Sequence, residues 1–273
     1  MNLNIPILMY HQISREPHPN FLEYTVTPKA FEAQMKALKF LGFVPITFSK
    51  LLDYKNGSAK PPSKPVIITF DDGLQDAIDN AVPILESTGF TAVFYIPTDY
   101  AGRKSSWMIP EVNVEFQIID WATVTMLDSM GFEVASHSMS HPRLSKISSN
   151  DCFGELSGSR RKLEEILGHE VRHIAYPYGD YNESVKILAS EAGYYTACTT
   201  EESFVDLDND MFALPRFNMG VDISMLNFLC KINTADSPIG IMAKQMLVMQ
   251  SKVPGSVKKI FKRILHSKNI LLI

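Results

Sequence analysis

Two carboxylates stand side by side at Asp71-Asp72, and two histidines four residues apart follow at His137 and His141. Adjacent acids repel and resist burial unless a cation or a proton separates their charges. Two imidazoles at that spacing lie on one side of a helical turn, so both rings can reach a single ion. One carboxylate added to the pair makes a two-histidine, one-carboxylate metal site with open positions for water and substrate.

These groups need rigid elements to bring them together. Val66-Ile67-Ile68-Thr69-Phe70 is a short apolar, β-branched run and reads as a buried strand ending at Asp71. By itself Asp71-Asp72-Gly73 is also an ordinary Asp-Gly turn. A second strand, Glu133-Val134-Ala135-Ser136, delivers His137 in the same way. In parallel α/β folds ligands bind at the carboxyl ends of strands, where both motifs fall. Further strands are expected at 5–10, delivering His11, at 43–46, at 91–96, at 171–175, running into the turn Tyr176-Pro177-Tyr178-Gly179, and at 194–199; the stretch 212–217 delivers Arg216. Helices are expected between them: Phe31, Met35, Leu38 and Leu41 recur at helical spacing after Thr27-Pro28, and helical stretches are read at 76–88, 120–130, 148–167 and 181–192. Residues 97–120 read as a long irregular loop. The charged face of 148–167 reads as solvated, and His173 as a structural histidine. Strands alternating with helices argue a parallel sheet or barrel.

At these motifs the chain resembles the polysaccharide deacetylase family, the NodB-type carbohydrate esterases. Thr69-Phe70-Asp71-Asp72-Gly73 is similar to the first motif of that family, and Ser136-His137-Ser138-Met139-Ser140-His141-Pro142 to the second. Ala175-Tyr176-Pro177-Tyr178-Gly179 is similar to a variant of the third. The resemblance covers roughly residues 5–220 and implies an irregular (β/α) barrel, expected as a domain over 1–236, and removal of N-acetyl groups from an amino sugar in a polysaccharide, oligosaccharide or lipid-linked glycan. It implies a divalent metal, zinc first with cobalt or nickel suiting the same ligands, held by Asp72, His137 and His141. Asp71 is then the general base, and the backbone N–H of Tyr178 serves the oxyanion. Expected substrate contacts are His11, Trp121, Pro177 and Arg216. Two departures stand out. The arginine that commonly opens the third motif is Ala175 here, with Arg216 a candidate to replace it in space. The later Leu-x-His motif has no counterpart, which leaves the catalytic acid open with His11 as a candidate.

The rest of the sequence sets bounds. At 273 residues with 45% hydrophobic and 21% charged residues, the chain can bury a full α/β core. Cys152, Cys198 and Cys230 are scattered and suggest neither a zinc ribbon nor a disulfide scaffold. The first ten residues carry no basic n-region and are broken by Pro6, so we expect a cytoplasmic protein. Net charge is −4, yet after Asp236 there are seven Lys and Arg and no acid. The acidic body is a poor partner for nucleic acid. The extension 237–273 is expected to hold a basic amphipathic helix at 257–266 that lies on an anionic membrane surface or packs on the barrel. A non-catalytic sugar-binding protein on the same fold is the alternative from another class. A metal-free glycosidase finds no role for the histidine pair, and a haloacid-dehalogenase phosphatase needs its aspartates one residue further apart.

Overall fold

The computed structural model describes residues 3–220, 223–234 and 237–252. The chain forms two compact units, Met1–Asp222 and Ile223–Ile273. The division therefore falls before the expected boundary at 236/237. The helix expected at 257–266 lies outside the described residues.

The first unit is built from β1 (Ile7–Tyr10), β2 (Gln12–Ile13), β3 (Thr25–Val26), α1 (Pro28–Phe40), β4 (Val44–Pro45), α2 (Phe48–Lys55), β5 (Pro65–Phe70), α3 (Gln75–Thr88), β6 (Val93–Ile96), α4 (Ile109–Val112), α5 (Trp121–Ser129), β7 (Glu133–Ser136), α6 (Ser149–Leu167), β8 (His173–Ala175), α7 (Glu183–Glu191), β9 (Thr196–Cys198) and β10 (Phe217–Asn218). The second contains α8 (Met225–Ile232) and α9 (Pro238–Lys252). No helix among the described residues is long and apolar enough to cross a membrane.

The main sheet runs in the order β10-β1-β5-β6-β7-β8-β9, with β4 also paired to β5, and every pairing is parallel. It curls into an irregular (β/α) barrel of the expected type. A bridge between Cys198 and Leu214 spans the seam between β9 and β10. Short strands suffice because helices cover the outer face and the central strands β1, β5 and β6 are buried on both sides.

Period-two alternation sorts the side chains. Ile7, Ile67, Val93, Tyr95, Ala135, Ala175 and Cys198 pack together inside the barrel, with Phe48 and Leu51 of α2 in the same cluster. Ile174 and Ala197 turn outward against Leu156 of α6 and Val185 and Ala189 of α7. The inward parity of Ile7, Ile67 and Ala135 continues to His11, Asp71 and His137. The same strands that fill the barrel therefore aim these three residues over its carboxyl end.

Helix starts follow their caps. Thr27, Thr47, Asp120, Ser148 and Asn182 each accept an N–H of the first turn of α1, α2, α5, α6 and α7. His173 is held by Ser49 Oγ at 3.1 Å and Thr196 Oγ1 at 2.9 Å, in keeping with a structural histidine. The stretch 97–120 is less irregular than expected: it contains α4, and pairings of Leu74 with Ile118 and of Lys104 with Gln117 fold it back.

Beyond His11, β2 and β3 are tied to α3 by a buried polar relay. Thr25 Oγ1 donates to Gln12 Oε1 at 2.6 Å, and Gln12 Nε2 donates to Asp76 Oδ2 at 2.6 Å. Burial pushes the Asp76 carboxyl up to about 6 against the Gln12 bond. A carboxyl raised in the folded state costs nothing well below the unfolded value of about 3.9, costs progressively more as pH rises to the folded value, and costs the full amount above it. Asp76→Asn keeps an acceptor for Gln12 and removes the charge. It should raise stability by about 1–2 kcal/mol at pH 8 and by nothing measurable at pH 3. Denaturant unfolding at both pH values checks this; an equal effect at the two would contradict it.

Candidate active site

Asp72 projects its carboxylate between the two histidines. Its Oδ1 lies 3.4 Å from His137 Nε2 and 3.3 Å from His141 Nε2. All three residues are buried. These separations are long for a charge-assisted hydrogen bond, which closes to about 2.7–2.9 Å. They match the roughly 3.3–3.6 Å between two ligands that share one tetrahedral ion at ~2.0–2.2 Å. The three donor atoms lie within 4.8 Å of one another and form a group able to hold a metal ion. His137 Nδ1 is 2.8 Å from the Ala175 carbonyl, which can only accept, so Nδ1 carries a proton and Nε2 is the nitrogen left to face Asp72 and a cation; against its burial, Asp72 and Asp71 raise the pKa of this ring. The residues present thus fit a divalent cation.

The histidines do not share a helical turn. Residues 137–143 form a loop in which Ser138 and His141 adopt φ of 62° and 61°. Those two left-handed residues, and not helical periodicity, bring the second imidazole back to Asp72. Asp72 and Tyr178 also sit at positive φ, 69° and 60°. Among the described residues only Asn4 and Asn113 otherwise do so without being glycine. Left-handed backbone is uncommon for residues with a Cβ, and here it gathers in the three motif loops. Gly179 follows at φ 65°, where a Cβ would stand 2.8 Å from the Thr200 backbone nitrogen.

Asp71 has a different partner. Arg216 Nη1 donates to Asp71 Oδ1 at 2.6 Å and Nη2 to Oδ2 at 2.7 Å, a bidentate pair with both residues buried. Arg216 Nε donates to the Thr199 carbonyl at 3.0 Å, and Nη1 also reaches Thr69 Oγ1 at 3.2 Å. Burial favours the neutral acid, but Arg216 and then His137 outweigh it and hold Asp71 below the usual carboxylate range. Burial likewise opposes charge on Asp72, and the imidazoles of His137 and His141 facing its carboxylate hold it well below that range. Burial lowers His11 and His141 despite the nearby aspartates, so both imidazoles are neutral at neutral pH.

These groups open onto a cleft of ≈ 470 Å³. His11 lines it, with its ring edge-on to Tyr24 at 5.0 Å. Tyr178 lines it too; its ring is 4.6 Å from His141 and carries the Arg143 guanidinium 4.0 Å above it. Three expected substrate contacts do not line the cleft. Trp121 lies in a separate groove with Asp99, Arg103 and Lys162, because it opens α5 on the outer face of the barrel. Arg216 is fully buried behind Asp71 and does not line the cleft. Pro177 is buried and opens the turn that carries Tyr178. The aromatic that Trp121 was expected to supply is Trp107, stacked on His141 at 4.9 Å and 26°. Tyr24, Glu111 and Arg143 join it in the lining. Their segments carry no motif, and only the folding back of 97–120 brings Trp107 and Glu111 over the strand ends.

Residues 58–197 match the profile of the polysaccharide deacetylase family. Among curated proteins, the chain is 30% identical over 220 residues to YxkH of Bacillus subtilis (strain 168), whose name assigns it to the polysaccharide deacetylases; the match covers 81% of this chain and 73% of that one. It is 27% identical over 211 residues to the poly-beta-1,6-N-acetyl-D-glucosamine N-deacetylase of Staphylococcus aureus (strain MRSA252), covering 73% and 69%. Among solved structures, the Streptococcus pyogenes deacetylase PplD in complex with acetate superposes with a TM-score of 0.73 at 25% identity, over 86% of this chain and 100% of that one. A polysaccharide deacetylase from Bacillus cereus gives 0.71 at 28%, over 84% and 69%. Motif residues, barrel and relatives agree, and the chain belongs to the polysaccharide deacetylase family.

Proposed function

We propose that this protein is a metal-dependent N-deacetylase that hydrolyses the acetamide of an N-acetylated amino sugar within a glycan. The observation that carries the reading is the division of labour between the two aspartates. Asp72 is turned to the histidines, and Asp71 is held apart from them by Arg216. The relative named for poly-β-1,6-N-acetyl-D-glucosamine makes oligomers of that sugar the first substrate to try.

When bound by Asp72, His137 and His141, a divalent cation supplies a Lewis acid for the acetyl carbonyl and lowers the pKa of water toward about 7. Asp71 accepts the proton of the attacking water. Each of its oxygens gives one lone pair to Arg216 and keeps another for this purpose. The backbone N–H of Tyr178 donates to the developing oxyanion. As the C–N bond breaks, protonated Asp71 returns its proton to the leaving nitrogen. Arg216 assists, because a carboxyl beside a guanidinium is a strong acid. Acetate and the free amino sugar result. His11 is neutral, so it enters as a hydrogen-bonding wall of the cleft and not as a stored proton. Trp107, Tyr24 and Tyr178 give the cleft aromatic walls against which a pyranose can pack.

The intact pairing of Asp71 with Arg216 favours catalysis over sugar binding alone. A binding protein has no need of a buried, ionised carboxylate, whose desolvation is expensive.

Acetate release from N-acetylglucosamine oligomers tests the proposal. Release should require metal, stop with chelator and return on adding zinc; release that survives chelation would contradict it. In the same assay Asp71→Asn should lose about 10²–10⁴-fold in kcat while still binding one ion per chain. Near-normal turnover would place the base elsewhere. Arg216→Gln should raise the Asp71 pKa, and since the base acts only when deprotonated, the acid limb of the kcat profile should move to higher pH. Stability should fall by about 3–5 kcal/mol, the usual cost of stranding one partner of a buried ion pair. An unmoved acid limb would separate Arg216 from the base.

A further inference from the structure

The loop between His137 and His141 carries the strain of two left-handed residues, Ser138 and His141. Its backbone polar groups are held from two sides. The N–H groups of Thr98 and Asp99 donate to the carbonyls of Ser138 and Met139 at 3.1 and 3.0 Å. On the other side stands Glu155 of α6. Its Oε2 accepts the backbone N–H groups of Met139 and Ser140, both at 2.8 Å, and its Oε1 accepts Ser140 Oγ at 2.6 Å. One carboxylate thus receives three donors from two consecutive residues of the loop's turn.

The same face of α6 adds two further contacts. Ser159 Oγ meets Ser136 Oγ at 2.8 Å, and Ser136 Oγ in turn accepts the Ser138 N–H at 3.2 Å. At Gly158 a Cβ would fall 2.3 Å from Met139 Sδ, so the glycine leaves the space that the Met139 side chain fills. Glu155, Gly158 and Ser159 lie three and four residues apart and share one helical stripe. The charged face of this helix was expected to be solvated. In this stripe it is the bed on which the histidine loop lies.

We infer that Glu155 is a positioning residue for the metal site, clamping the 138–140 turn so that His141 Nε2 meets the same ion as Asp72 and His137. Aromatic packing from Trp107 and Tyr178 orients the His141 ring, but only the backbone sets where that ring begins. Without the clamp, the two left-handed residues are free to relax to ordinary φ values, which carries the second imidazole away from Asp72. This rests on the reading of Asp72, His137 and His141 as metal ligands.

Calorimetric titration of the metal-free full chain with zinc tests it, with activity at saturating zinc and the melting temperature of the metal-free protein as companions. Wild type should bind one ion. Glu155→Leu removes all three acceptors and should weaken zinc binding about 10–100-fold, the range for residues that orient metal ligands. Glu155→Gln retains an acceptor for the two N–H groups and can meet the Ser140 hydroxyl with its amide, so it should restore affinity to within about threefold. Glu155→Asp keeps the charge but shortens the arm. It should lie between the two, and it decides the matter if the leucine variant does not fold. Activity lost in Glu155→Leu should return in part at high zinc. If wild type binds one ion and both Glu155→Leu and Glu155→Asp bind it as tightly, the positioning role is wrong and the metal site stands. If wild type binds no ion, the metal site falls, and this inference with it.

Discussion

Two neighbouring carboxylates cannot share a buried site as anions unless each has its own compensation. In this protein the compensation differs for the two, and the site follows from that difference. Asp71 is neutralised by Arg216 through a bidentate pair, which spends two lone pairs on the guanidinium and leaves two toward the cleft. Asp72 is turned the other way, to two imidazoles spaced as ligands of one cation. The φ of 69° at Asp72 is the local cost of turning two adjacent side chains into one cleft, where extended backbone would send them to opposite faces. An isolated ionised carboxyl here would take up a proton. Arg216 is what keeps Asp71 a base.

Holding that arrangement requires the surrounding chain to over-determine it. Asp71, His137 and His11 inherit their direction from strand parity inside a packed barrel, which a sheet buried on both faces enforces strongly. Asp72, His141 and Tyr178 inherit theirs from left-handed residues in loops, which are not self-sustaining. Each such loop is tied down elsewhere. Thr98, Asp99 and α6 hold the histidine loop, and the steric demand at Gly179 holds the turn of Tyr178. The division is physical: strands supply accuracy for groups at their ends, and loops that must double back need braces.

The parts legible in the sequence are those written in local periodicity and motif spacing. The strands ending at Asp71 and His137, the helices with their caps, the parallel barrel and the family all follow from short-range patterns. The site residues that escaped depend on long-range closure. Arg216 was legible only as a candidate: the missing arginine at Ala175 called for a replacement in space, and only the closed fold brings Arg216 to Asp71. Trp121 and Trp107 cannot be told apart by type. Only the refolding of 97–120 on the strand ends puts Trp107 beside His141 and leaves Trp121 outside. Helical spacing of the histidines suggested the right convergence for the wrong reason, since i and i+4 on a helix and two left-handed residues in a loop both return a side chain to the same side. Glu155 looked like surface charge because its acceptors face backbone N–H groups, which a sequence does not display.

The most direct test of this account is anomalous diffraction from crystals of the full chain soaked in zinc, recorded at the zinc edge. The account places one strong peak at ~2.0–2.2 Å from Asp72 Oδ1, His137 Nε2 and His141 Nε2, with Asp71 still paired to Arg216 and outside the coordination sphere. A peak elsewhere, or one that takes Asp71 as a ligand and releases Arg216, would contradict it.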